Sequence, residues 1–171
     1  KSSGNIGINL RNLRSNQIIE ALESEEIDFG VLSETKKIKQ RFNKTKLLTF
    51  GYELVVPKNL SVKINKNNPL SSIFDIPLAV LQGRGELRET VEQFADVEGR
   101  KLIPEMECTS LGQVSTAIRS GVCCGILPDY FSDYETGKNV SRYKTGKLNT
   151  LKRTIYLVWS PVTPLLKPYF Q

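Results

Sequence analysis

Three thiols, two helix-opening arginines and a Thr-Ser pair are the side chains of this 171-residue chain whose types and spacing could do chemistry. Histidine is absent, which removes a His-based triad, a His-ligated zinc site and a His proton relay. Metal chemistry would have to use carboxylates and thiolates, and no C-x-x-C spacing is present. The thiols are Cys108 and the adjacent Cys123 and Cys124, the pair lying in "AIRSGVCCGILPDYF" (117–131). A redox sensor needs an exposed, low-pKa cysteine with a resolving partner, which a link from Cys108 to Cys123 or Cys124 would supply. Neighbouring residues on a strand point to opposite faces. The pair is therefore expected to fill two separate apolar contacts, as free cysteine does when it behaves as a small hydrophobe.

Arg84 and Arg88 open a predicted helix in "QGRGELRETVEQFADVEG" (82–99). Positive side chains oppose the helix dipole at that end and need either solvent or an anion. The free N–H groups of residues 84–86, with Arg84, could hold a carboxylate, sulfate or phosphate. The G-R-G turn is not a Walker loop, which needs Lys-Ser/Thr after its glycines. Thr109 and Ser110 precede "LGQVSTAIRSG", where Ser110 and Gln113 fit a capping box, and a ligand contact by one of them is compatible with that. Arg14 could face a cleft or solvent, and Asp28 reads as a turn or strand-start residue. Asp75, Glu107 and Asp129 show no spacing that pairs carboxylates for acid–base work. No enzyme, no cofactor and no metal site is expected.

These residues need elements to hold them. "NIGINL" (5–10) alternates Ile6, Ile8 and Leu10 with small or polar residues and reads as a strand. "NQIIEALESEE" carries Ile18, Ile19 and Leu22 at helical spacing, with Ser15 or Asn16 available to cap it. "IDFGVLSE" (27–34) is a second strand, so the first 30 or so residues predict a βαβ unit with parallel strands. "KLLTFGYELVVPK" gives one long or two short strands ending at Pro57, and "NLSVKINKNNPL" is a polar connection. Then come a strand in "PLAVL", a helix with Leu87, Val91 and Phe94 inward, a strand in "KLIPEMECT", the helix from Ser110, and a strand in "VCCGILP". Strands are also expected at 140–143 and 153–159.

An apolar fraction of 39% and a charged fraction of 25% fit a globular chain, and no window approaches the roughly 18 apolar residues of a membrane span. An odd cysteine count and the lack of a charged-then-apolar leader point to the cytoplasm. The net charge of +6 gathers in "KKIKQRFNKTK" (36–46) and "KNVSRYKTGKLNTLKR" (138–153). It supports a weak attraction to DNA or to an anionic ligand.

The segments "SEEIDFGVL", "YELVVPK", "SLGQVSTAIRSGVCCGILP" and "IYLVWS", in that order and spacing, resemble the effector-binding domain of LysR-type transcriptional regulators. The resemblance covers most of residues 6–160. It implies an α/β fold of two Rossmann-like lobes joined by two crossover strands, the periplasmic-binding-protein type II fold. The lobes would be residues 1–56 with 140–171, and residues 57–139, with chain crossings near Pro57 and Asn139. The family's ligand contacts fall at Ser15 and Asn16, at Gln82, Gly83 and Arg84, at Thr109 and Ser110, and at Leu127 and Pro128. A small, anionic effector would sit in the cleft between the lobes. The resemblance also implies a homodimer or homotetramer formed through helices 15–24 and 110–120. DNA would be bound by an N-terminal winged helix-turn-helix domain absent here, and the domain's first strand and helix are expected to precede Lys1. A type II solute-binding protein of a transport system shares this fold and is the alternative reading.

Overall fold

A computed structural model of the chain describes residues 7–33, 41–83, 85–131 and 136–161. The chain divides into two compact units, Lys1–Thr49 with Thr154–Gln171, and Phe50–Arg153.

In the first unit, helix α1 (Ser15–Glu23) turns Ile19, Ala21 and Leu22 inward. Ile19 and Leu22 close on Leu32 and Val158 in one apolar cluster. The helix starts one residue earlier than a Ser15 cap would place it and two earlier than an Asn16 cap would: Arg14 flanks it, and its N–H donates to Gln17 Oε1 at 2.9 Å. Ser15 is thus the first helical residue, because the Gln17 amide reaches back and takes over the capping. Strands β1 (Gly30–Ser33), β2 (Asn43–Phe50) and β8 (Arg153–Trp159) form a sheet in the order β1-β8-β2.

Two expectations fail in this unit. Residues 7–14 hold no strand, and Ile8 and Leu10 are 80% and 90% exposed. β1 pairs antiparallel with β8, Gly30 opposite Val158 and Ser33 opposite Ile155, instead of parallel with an N-terminal strand. Period-2 alternation marks a segment able to present one apolar face. It does not say which strand completes the ladder, and 7–10 has none among the described residues.

The second unit holds a five-stranded sheet in the order β5-β4-β6-β3-β7. Its strands are β3 (Tyr52–Pro57), β4 (Leu78–Leu81), β5 (Met106–Cys108), β6 (Cys124–Pro128) and β7 (Val140–Tyr143). β4 runs parallel to both β5 and β6, while β3 is antiparallel to β6 and β7. Helix α3 (Glu86–Val97) links β4 to β5, and α4 (Leu111–Arg119) links β5 to β6. Both connections join strands that run parallel in the sheet, as a βαβ crossover must. The unit also contains short helices α2 (Lys58–Ser61) and α5 (Gly146–Thr150) and a 3-10 helix at Pro69–Phe74. β3 is buried at all six positions, as expected of a strand paired on both sides.

The compact units divide after Thr49 and Arg153. The reason is strand pairing. Leu54 lies opposite Tyr143 and Pro57 opposite Val140, so β3 and β7 share the second unit's sheet.

Candidate functional site

Because β4, β5 and β6 are parallel, their C-terminal ends lie along one edge of the second unit, the edge where open α/β sheets bind ligands. Four of the expected contact residues, Gln82, Gly83, Thr109 and Ser110, follow from those ends. The Gln82 N–H donates to Cys108 O at 2.6 Å, tying the loop after β4 to the end of β5. Gly83 has φ of 96° and nothing within 4 Å of an added Cβ, so backbone conformation and not crowding selects glycine there. Arg84 lies outside the described residues.

The α4 entrance combines its two expected residues differently from a simple capping box. Ser110 Oγ accepts from Gln113 N at 3.3 Å. Gln113 Oε1 accepts from Thr109, from N–H at 2.8 Å and from Oγ1 at 3.0 Å, one residue before the reciprocal position. Thr109 and Ser110 are thereby fixed in place. Leu111 and Gly112 open the helix, so their N–H groups have no carbonyl four residues back inside it. Thr109 is exposed, and Ser110 is half-buried.

Leu127 is fully buried in the cluster facing α4, with Val55, Val114 and Ile118, so its side chain serves the core. Pro128 is buried opposite Tyr52. After it, Asp129 is clamped to Gly51. Its N–H donates to Gly51 O at 3.0 Å, and its Oδ2 accepts from Gly51 N at 3.0 Å. Ser15 and Asn16 are exposed on the first turn of α1, in the other unit.

Arg88 needs no anion from solution. Its Nε donates to Glu92 Oε1 at 2.6 Å, and its Nη1 lies 3.6 Å from Glu107 Oε1. Glu86 and Glu89 in the first turn answer the helix dipole. Asp75 pairs with Arg100 at 2.7 Å. The hydrogen bond from Arg100 holds the Asp75 carboxyl below its usual range. Glu53 was missed by the pattern, though it is the single charge in the apolar run "YELVVP". It is 7% exposed, with Arg142 Nη1 3.4 Å from one carboxylate oxygen and Lys144 Nζ 3.6 Å from the other. Among the described residues, no group of three or more His, Cys, Asp or Glu could hold a metal ion.

All three cysteines are free and buried. Burial pushes each thiol up, Cys124 to about 12. Cys108 lies opposite Leu81 and Cys124 opposite Leu78, on strands either side of β4. At about 4.8 Å between strands and about 3.3 Å per residue, their Cα atoms are roughly 14 Å apart, beyond the roughly 7 Å limit of a disulfide. Cys123, just before β6, shares the apolar cluster of Cys108, where burial keeps both thiols protonated. Native protein is therefore expected to react negligibly with a thiol reagent such as DTNB and to release all three thiols on unfolding. A disulfide formed by peroxide in the folded chain would restore the redox reading.

A family model described as the LysR substrate binding domain matches residues 2–168. No curated protein matches the chain. Several solved structures resemble it. A sulfate-bound mutant regulatory domain of OxyR2 from Vibrio vulnificus is 17% identical with a TM-score of 0.65, over 88% of this chain and 70% of that one. The apo regulatory domain of HypT from Salmonella typhimurium is 14% identical with a TM-score of 0.68, over 87% and 71%. Full-length CbnR complexed with its target DNA is 14% identical with a TM-score of 0.62, over 90% and 53%. At these identities the likeness is one of fold, and it bears out the expected α/β class with two sheets. Among the described residues, no helix is long and apolar enough to cross a membrane.

Proposed function

Because the chain belongs to the LysR substrate-binding domain family, we propose that it is the effector-sensing part of a DNA-binding transcriptional regulator, with a small anionic metabolite as its signal. The observation that carries this reading is the edge where β4, β5 and β6 end together. There Gln82, Gly83, Thr109 and Ser110 are presented around two helix entrances, a setting that favours negative charge. Arg84 supplies the cation, since Arg88 is already paired with Glu92 and Glu107. The sulfate bound to the OxyR2 relative supports an anion as the ligand class. The backbone at Leu127 and Pro128 completes the proposed contact set on this unit.

The role is sensory and cytoplasmic. DNA is bound by a separate N-terminal domain, a division supported by the full-length CbnR complex, of which this chain spans 53%. α1 and α4 are the proposed dimer or tetramer contacts. An effector shifts such an assembly only by its difference in affinity between the assembly's states.

Thermal-shift screening of the full chain against small carboxylates, amino acids, sulfur metabolites and phosphates tests the reading. A ligand present at about 100 times its Kd adds about 2.7 kcal/mol, a shift of several degrees. That shift is expected to vanish in Arg84→Ala and to shrink in Thr109→Ala. If no anion stabilises the chain, or both variants respond as fully as the parent, the edge is not the effector site.

A further inference from the structure

The second unit also contains a cavity of about 420 Å³ that the effector reading does not use. We propose that it binds a small organic carboxylate carrying an apolar body. Three segments wall it: Pro57 and Asn59, the C-terminal end of α4 from Ile118 to Gly121, and the loop from Thr136 to Val140. α4 has nine residues, about 13 Å of helix, and Thr109 and Ser110 lie at its other end. The cavity is therefore separate from the strand edge, and the proposal stands or falls independently of it.

The walls are tied to one another before any ligand arrives. Asn59 Nδ2 donates to Gly121 O at 3.0 Å, and the Lys58 N–H donates to Asn139 O at 3.0 Å. Two wall residues are glycines in the left-handed region, Gly121 at φ 79° and Gly137 at φ 82°. A Cβ at Gly137 would come within 3.3 Å of Arg119 Cγ, so the glycine lets the arginine stem lie along the loop.

Charge and size set the ligand class. Arg119 and Lys138 both line the cavity, and among the described residues no acidic side chain lines it and neither cation has an ion-pair partner. Arg119, in the last turn of α4, also offsets the negative end of that helix, which leaves an approaching anion facing guanidinium and ammonium groups. A guanidinium matches a carboxylate with two parallel hydrogen bonds. Pro57, Ile118 and Val140 supply an apolar wall that a bare inorganic anion would leave wet. The volume falls in the roughly 300–1,000 Å³ range of small-molecule sites.

The test is an NMR titration of the isotope-labelled full chain with 4-methylpentanoate, and with sulfate as an anion lacking the apolar body. Saturable shifts are expected at the Gly121 and Gly137 amides and the Asn59 side-chain amide, with sulfate weaker by about tenfold or more. Arg119→Ala is expected to weaken 4-methylpentanoate by about tenfold or more while the spectrum stays that of a folded chain, because Arg119 is exposed. Three results overturn the proposal: no saturable shift at those groups, equal affinity for sulfate, or undiminished affinity in the Arg119→Ala/Lys138→Ala double variant. Shifts at Gln82 or Ser110 report on the effector edge and are read separately.

Discussion

Gly125→Val is expected to remove a large share of the second unit's stability. Gly125 sits in β6, which the sheet order places between β4 and β3. It shares a strand face with Leu127, which packs in the cluster that includes Val114 and Ile118 of α4. A Cβ at this position would lie 2.8 Å from Val114 Cγ1, 3.0 Å from Ile118 Cδ1 and 3.4 Å from Ala79 O. Val114 and Ile118 are each 1% exposed, and the Ala79 oxygen belongs to the neighbouring strand, so none can swing into solvent. Overpacking of this kind costs about 1–3 kcal/mol for a methylene or two, and occasionally more. Valine adds two carbons beyond the Cβ, so a loss of about 3 kcal/mol or more is expected from a domain stability of about 5–15 kcal/mol.

The graded variant separates sterics from backbone. Gly125 does not occupy the left-handed region, so alanine brings no backbone strain and recovers about 0.5–1 kcal/mol of chain entropy. Gly125→Ala is still expected to destabilise in urea unfolding, and trimming the opposing side chain with Ile118→Val is expected to return part of the loss. A neutral or stabilising Gly125→Ala would show that α4 can move away freely. The proposed effector edge depends on the same contact, because α4 carries Thr109 and Ser110 at its entrance.

The second unit was largely legible in the sequence, and the contrast with the first unit has a physical cause. The alternation of short apolar strands with capped helices from Leu78 to Pro128 marks elements whose partners are sequence neighbours, and β4-α3-β5-α4-β6 follows directly. Ser110 and Gln113 could be recognised as a cap because the bond is local, although the Gln113 side chain reaches Thr109. Long-range pairing carries no such local mark. β1 with β8 joins residues more than 120 positions apart, and β3 with β7 draws Val140–Tyr143 into the second unit. The Arg88 reading failed for the same reason: Glu92 could have been counted at four residues' distance, but Glu107 arrives from β5. Glu53 shows where a signal existed and was passed over, since one charge inside a fully apolar run calls for buried partners.

The second large effect concerns the cysteine pair and alkaline pH. Gly125 and Leu127 face the α4 cluster, and Cys123 belongs to that cluster while Cys124 does not, as strand alternation requires. Both thiols are fully buried. Burial, reinforced by the neighbouring Cys123, pushes the Cys124 thiol from an ordinary 9.0 to about 12. Raising a folded-state pKa means that the unfolded chain loses this proton first. The stabilising contribution is fully present below about pH 9 and is lost as the pH climbs toward about 12, with a limit of about 4 kcal/mol. Between about pH 8 and about pH 10.5, the parent chain is expected to lose about 2 kcal/mol more stability than Cys124→Ala. Urea unfolding of both proteins at the two pH values measures this difference. The packing loss from removing the sulfur is nearly constant with pH and cancels, as do the lysine and tyrosine titrations common to both chains. Equal pH dependence in the two proteins would mean that water reaches Cys124 in the folded state. The thiol would then be open to oxidants, and the assignment of the pair to packing would fail with it.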